Sequence, residues 1–105
     1  MRTNIKDTLS RLLGSENRRK VVKAILDRPG IWSYPELEKV TRVPHATVWR
    51  TVLDMERAKI LKSKLIGRRT KIFSLVEDSP YISLLRSVIN LVDVEALSLE
   101  SRRGL

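Results

Sequence analysis

At 105 residues the chain fits one compact domain and leaves little room for a separate catalytic or sensor domain. Hydrophobic residues at 42% and charged residues at 31% argue against wholesale disorder, and the lack of cysteine excludes disulfides and thiolate metal sites. A formal net charge of +9 favours an anionic partner, and no apolar run reaches the roughly 18 residues a membrane span needs, so a soluble cytoplasmic protein without a membrane partner is expected.

Ile5, Leu9, Leu12 and Leu13 fall at helical spacing and predict a short first helix ending at Gly14. Ser15 offers an N-cap oxygen to a second helix with the apolar stripe Val21, Val22, Ile25 and Leu26, stopped by Pro29-Gly30. Its other side carries Arg18, Arg19, Lys20 and Lys23, which either touch flanking phosphates or form a solvated face. Ile31-Trp32 is a short β-prone piece. Ser33-Tyr34-Pro35-Glu36 then supplies an N-cap, a first-turn proline and a third-position acid for a third helix, buried through Leu37 and Val40. Val43-Pro44 interrupts it, because proline disfavours helical geometry in the preceding residue.

A fourth helix begins near Pro44 or His45, buries Val48, Val52 and Met55, and fades around Arg57 or Ala58. From Lys62 the period becomes two, and Gly67-Arg68-Arg69-Thr70 separates two alternating runs, which predicts a β-hairpin over about residues 62–75. Tyr81, Leu84, Leu85, Val88, Ile89, Leu91 and Val92 mark a last helix, followed by a frayed tail from Ser98 to Leu105. The expected class is α+β, mostly helical with a small hairpin. Residues 1–78 form the main domain, 79–97 a dimerisation helix and 98–105 a flexible tail.

The charge is unevenly placed. Residues 59–71 hold six Lys/Arg and no acid, residues 1–30 hold eight against three, and residues 72–105 hold three against five. An evenly solubilised surface would not show this pattern. The helix–turn–helix–basic-hairpin order points to duplex DNA, because the major groove admits one α-helix whose N-terminal side chains reach base edges.

The stretch PELEKVTRVPHATVWRTVLDMERAKIL followed by KSKLIGRRTKIFSL resembles small archaeal and bacterial regulators related to the ArsR and MarR families, over about residues 18 to 76. The resemblance implies a winged helix-turn-helix that binds DNA. Two departures stand out. Lys59 occupies a position where these families commonly carry glycine, so the helix exit is expected to use another conformation. One His and no Cys cannot assemble the metal-sensing site of one branch, so no cofactor is expected.

With Val48, Val52 and Met55 inward, the fourth helix would present His45, Ala46, Trp49 and Arg50 to DNA. Arg50 can donate twice to guanine, His45 can reach a base or phosphate, Ala46 can meet a thymine methyl, and the Thr47 hydroxyl can support a phosphate. Trp49 either packs on the sugar–phosphate edge or serves between helices, whereas Trp32 and Tyr34 are assigned to the core. Arg68 and Arg69 at the hairpin tip suit the minor groove or its phosphates, and Lys64 and Lys71 on the strands join them. Asp54 and Glu56 read as helix-surface acids. The wide apolar arc of the last helix predicts a homodimer through Tyr81, Leu85, Val88 and Val92.

No phosphate-cradling Gly-rich loop, nucleophile elbow or zinc-protease motif is present, so no enzyme is expected. The expected function is sequence-selective regulation of transcription, with repression by occluding polymerase as the favoured sign, although the residues themselves do not distinguish repressor from activator. The alternatives are a protein–protein module built on the same fold, or an RNA or single-strand binder; the latter would want exposed aromatics on a sheet, and the hairpin offers only Phe73. The sequence identifies no effector.

Overall fold

The computed structural model describes residues 5–91. Val92, one of the expected dimer residues, and the tail from residue 98 lie outside that range. Helices α1 (Ile5–Leu13) and α2 (Glu16–Asp27) lead into a two-residue strand β1 (Trp32–Ser33). Helices α3 (Tyr34–Thr41) and α4 (His45–Arg57) follow, then the hairpin β2 (Leu61–Ile66) and β3 (Thr70–Leu75). Residues 81–91 form helix α5.

Each helix start is set locally. Ser15 accepts from the Arg18 amide at 3.1 Å, and Ser33 accepts from the Glu36 amide at 3.4 Å. Each thereby satisfies an amide that has no carbonyl partner in the first turn. At the α1–α2 junction, Arg19 donates to the Leu13 carbonyl at 2.8 Å and Arg18 to the Arg11 carbonyl at 3.2 Å. Both guanidinium groups therefore sit where the last carbonyls of α1 leave partial negative charge. Gly14 makes the junction possible, because a Cβ there would come within 2.6 Å of the Ser10 carbonyl oxygen.

The sheet order is β1–β3–β2, antiparallel throughout, with Trp32 opposite Phe73 and Leu61 opposite Leu75. These four residues are buried with Val21, Val22, Ile25, Leu37, Val48, Val52 and Met55 in one core. Trp32 donates its indole N–H to the Arg28 carbonyl at 3.0 Å, and the Arg28 guanidinium lies over its ring at 3.6 Å. Trp32 and Tyr34 thus serve packing, as the sequence suggested. No described helix is long and apolar enough to cross a membrane.

Three expectations need correction. Val40 is 57% exposed. The packed side of α3 runs through Leu37 and Thr41, and Val40 is turned about 100° from its neighbour Thr41. The exit of α4 uses the conformation a glycine would take: Lys59 has φ 60°. The Ile60 amide reaches back to the Met55 carbonyl and the Lys59 amide to the Glu56 carbonyl, both at 2.9 Å, while Ile60 and Met55 are both fully buried. This is a Schellman closure in which lysine bears the left-handed strain. Leu85, expected at a dimer interface, is fully buried in its own chain with Ile82 and Ile89. That stripe of α5 is consumed by the core.

Candidate nucleic-acid interface

Helix α3 ends at Arg42 in a left-handed conformation, and a turn through Val43 and Pro44 redirects the chain into α4. Helix α4 buries Val48, Thr51, Val52 and Met55, which leaves His45, Ala46, Trp49 and Arg50 exposed and Thr47 half-buried. Trp49 is 47% exposed, a large apolar ring displayed beside the exposed Arg50. No side chain caps the start of α4, so its first amides add partial positive charge at that end.

The acids around this face are already engaged. Asp54 pairs with Arg18 at 3.4 Å and Arg11 at 4.0 Å, fastening α4 to the first two helices. Glu56 accepts from the Ser63 hydroxyl at 3.2 Å and pairs with Lys71, fastening α4 to the hairpin. Glu38 meets His45 Nδ1 at 3.1 Å. Asp54 and Glu56 were expected on the helix surface, yet their side chains are only 13% and 21% exposed. They are braces, which also accounts for Arg18: its charge is spent at the α1–α2–α4 junction rather than in solution.

Lys71 is correspondingly displaced from the role the sequence suggested. Its ammonium turns inward to Glu56 and lies 5.7 Å from the Tyr34 ring centroid. Burial alone would lower its pKa, but Glu56 and the neighbouring Tyr34 outweigh burial and hold it above the ordinary value. Burial pushes the Tyr34 phenol up, against the opposing pull of Lys71.

Hairpin register separates the remaining cations. Ser63 and Lys71 lie on the face toward α4, so Lys62 and Lys64 alternate onto the far face. There they border an open groove of about 350 Å³ with Ile31 and Ile72. Arg68 and Arg69 occupy the exposed tip, where Gly67 adopts φ 64° and closes a three-residue loop between the paired Ile66 and Thr70. Among the sequence-selected residues, the structure therefore brings His45, Ala46, Trp49 and Arg50 together on α4. Arg68 and Arg69 project at the tip, Lys64 stands on the far side, and Lys71 is withdrawn.

Comparison with known proteins places this arrangement among solved structures. AF1382 from Archaeoglobus fulgidus superposes with TM-score 0.63 at 21% identity, over 82% of this chain and 94% of that one. An ArsR-family transcriptional regulator gives TM-score 0.55 at 15% identity, over 93% and 97% of the two chains. MepR of S. aureus, solved in complex with DNA, gives 0.57 at 12% identity, over 95% and 85%. The fold is a winged helix-turn-helix. No family model and no curated protein matches the sequence.

In this winged helix, α4 is the second helix of the helix-turn-helix and the β2–β3 hairpin is the wing. Arg42, the C-cap of α3, and Arg57, the last residue of α4, are two further exposed cations that the sequence pattern did not single out. Arg57 was visible as position i+7 from Arg50, on the same helical face. Arg42 gave no such signal, because its placement depends on the left-handed turn.

Proposed function

We propose that the protein is a sequence-selective regulator of transcription that binds duplex DNA. Helix α4, as the recognition helix, enters the major groove, and the wing tip lies on the flanking backbone or minor groove. One observation carries this reading: His45, Trp49 and Arg50 stand exposed on one helix beside an acid-free cationic wing, while Asp54 and Glu56 are paired with cations. Such a surface keeps its positive potential where a phosphate backbone would lie. A neighbour with the same fold, MepR, was solved in complex with DNA, which supports DNA as the partner.

A homodimer accompanies this reading. Leu84 and Leu91 are exposed and Val88 is half-buried, giving α5 a second apolar stripe at i, i+4, i+7 beside the buried one. Two copies joined along that stripe would present two recognition helices to a two-fold site, and occupancy of such a site represses by occlusion.

The test is a selection of bound sequences from random duplex DNA, followed by titration of the chosen duplex at several salt concentrations. If a dimer neutralises about 6–10 phosphates, affinity should fall by roughly 10³–10⁵ between about 50 and 200 mM salt. A flat salt response, or no enriched sequence, would refute the reading.

A further inference from the structure

His45 is the chain's single histidine and the first residue of the recognition helix. Its Nδ1 lies 3.1 Å from Glu38 Oε1, and its side chain is 67% exposed. The Tyr34 ring meets the imidazole edge-on, with centroids 6.1 Å apart. A carboxylate only accepts hydrogen bonds, so the Glu38 contact requires the proton on Nδ1. In the neutral ring Nε2 is then a bare acceptor. A phosphate oxygen is also an acceptor, and two acceptors do not bond.

We propose that Glu38 is a positioning residue that couples DNA binding to protonation. By holding His45 through Nδ1, it leaves Nε2 as the ring atom that meets DNA, and Nε2 can donate to a phosphate oxygen only after taking a proton from solvent. This rests on the DNA-binding reading above. The groups facing the imidazole are Glu38 and Tyr34 from α3; Lys71 of β3 packs on the same Tyr34 ring with its charge matched by Glu56. The first turn of α4 carries no acid. A DNA phosphate at Nε2 supplies the negative charge that draws the proton in.

The experiment is calorimetric titration of the full chain with a duplex that it has itself selected, across about pH 6 to 8, in buffers of different ionisation enthalpy. Wild type should take up protons on binding and gain affinity as pH falls, by up to about tenfold per unit for one linked proton. His45→Gln should bind with a flat pH profile and no uptake. Glu38→Ala removes the acceptor that holds the proton on Nδ1, so the neutral ring can carry it on Nε2 and donate without further protonation, and the pH dependence should weaken. A flat wild-type profile, affinity that rises with pH, or a slope that survives in His45→Gln would each overturn the coupling. A pH dependence in Glu38→Ala as steep as that of wild type would overturn the role of Glu38. Tight binding with no pH dependence would leave the DNA reading standing, whereas no binding at any pH would remove both.

Discussion

Lys71 on β3 and Glu56 in the last turn of α4 form an ion pair, and Glu56 also takes the Ser63 hydroxyl of β2. A single carboxylate thus spans both wing strands and helix α4. Helix α4 and the hairpin are fastened to each other rather than merely attached to the same core.

Breaking that brace should loosen the wing at modest thermodynamic cost. Lys71→Met keeps an apolar stem beside Tyr34 but loses the charge, and about 1 kcal/mol of stability should go with it. The pH dependence has a definite sign. The folded-state pKa of Lys71 lies above its ordinary 10.5, so the stabilisation is complete below that value and disappears as pH rises through the raised one. Urea denaturation should show a constant gap between wild type and Lys71→Met from about pH 6 to 9, closing only in stronger alkali. A gap that closes near neutrality would point to another group.

Lys59 should be replaceable with profit. A non-glycine residue at φ 60° carries a steric cost that glycine avoids, and the closure of α4 onto Ile60 uses backbone groups that glycine retains. Lys59→Gly should raise stability by about 0.5–1 kcal/mol, read from the denaturation midpoint. Loss of stability would mean that the lysine side chain makes a contact worth more than its strain.

The legible parts of this fold were those decided by neighbours in sequence. Ser15 and Ser33 mark helix starts through their own hydroxyls, and Val48, Val52 and Met55 mark a buried side through period alone. The exposed quartet on α4 follows from the same period. What escaped depends on distant partners. Lys71 looks like any wing cation until the register places it, with Ser63, above Glu56. Asp54 looks like a surface acid until α1 and α2 bring Arg11 and Arg18 to it. On α5 the sequence shows one broad apolar arc, and only packing divides it into Ile82, Leu85 and Ile89 inside and Leu84 and Leu91 outside.

That division predicts two distinct phenotypes on one helix. Leu84→Glu with Leu91→Glu should leave the fold intact and yield monomers in sedimentation equilibrium, with weaker binding to a two-half-site duplex. Leu85→Ala should instead destabilise the chain by about 2–5 kcal/mol, because it opens a cavity in the core. A wild type that sediments as a monomer at tens of micromolar would dispose of the dimer, and a mild Leu85→Ala would contradict its burial.

Arg50 and the wing-tip arginines should separate reading from anchoring. Arg50 stands one turn after His45, on the exposed side of a helix whose opposite side is locked into the core by Val48, Val52 and Met55. Asp54, the acid at i+4 from Arg50, pairs with Arg18 and Arg11, so its charge is directed to the helical junction. A guanidinium in that setting can donate twice to a guanine edge, and Arg50→Ala should cost about 1–3 kcal/mol on the selected duplex but far less on an unrelated one. Arg68 and Arg69 stand at an exposed loop beyond the last paired residues, Ile66 and Thr70, where reach to a backbone is easier than a fixed approach to a base. Replacing both with Ala should weaken the two duplexes to similar degrees and reduce the salt slope by about one unit per lost phosphate contact. Titrations of both duplexes at several salt concentrations read all of these quantities at once. Equal weakening of the two duplexes by Arg50→Ala would make that residue an anchor. A wing variant impaired only on the selected duplex would make the tip a reader of sequence, and the two roles would have to be exchanged.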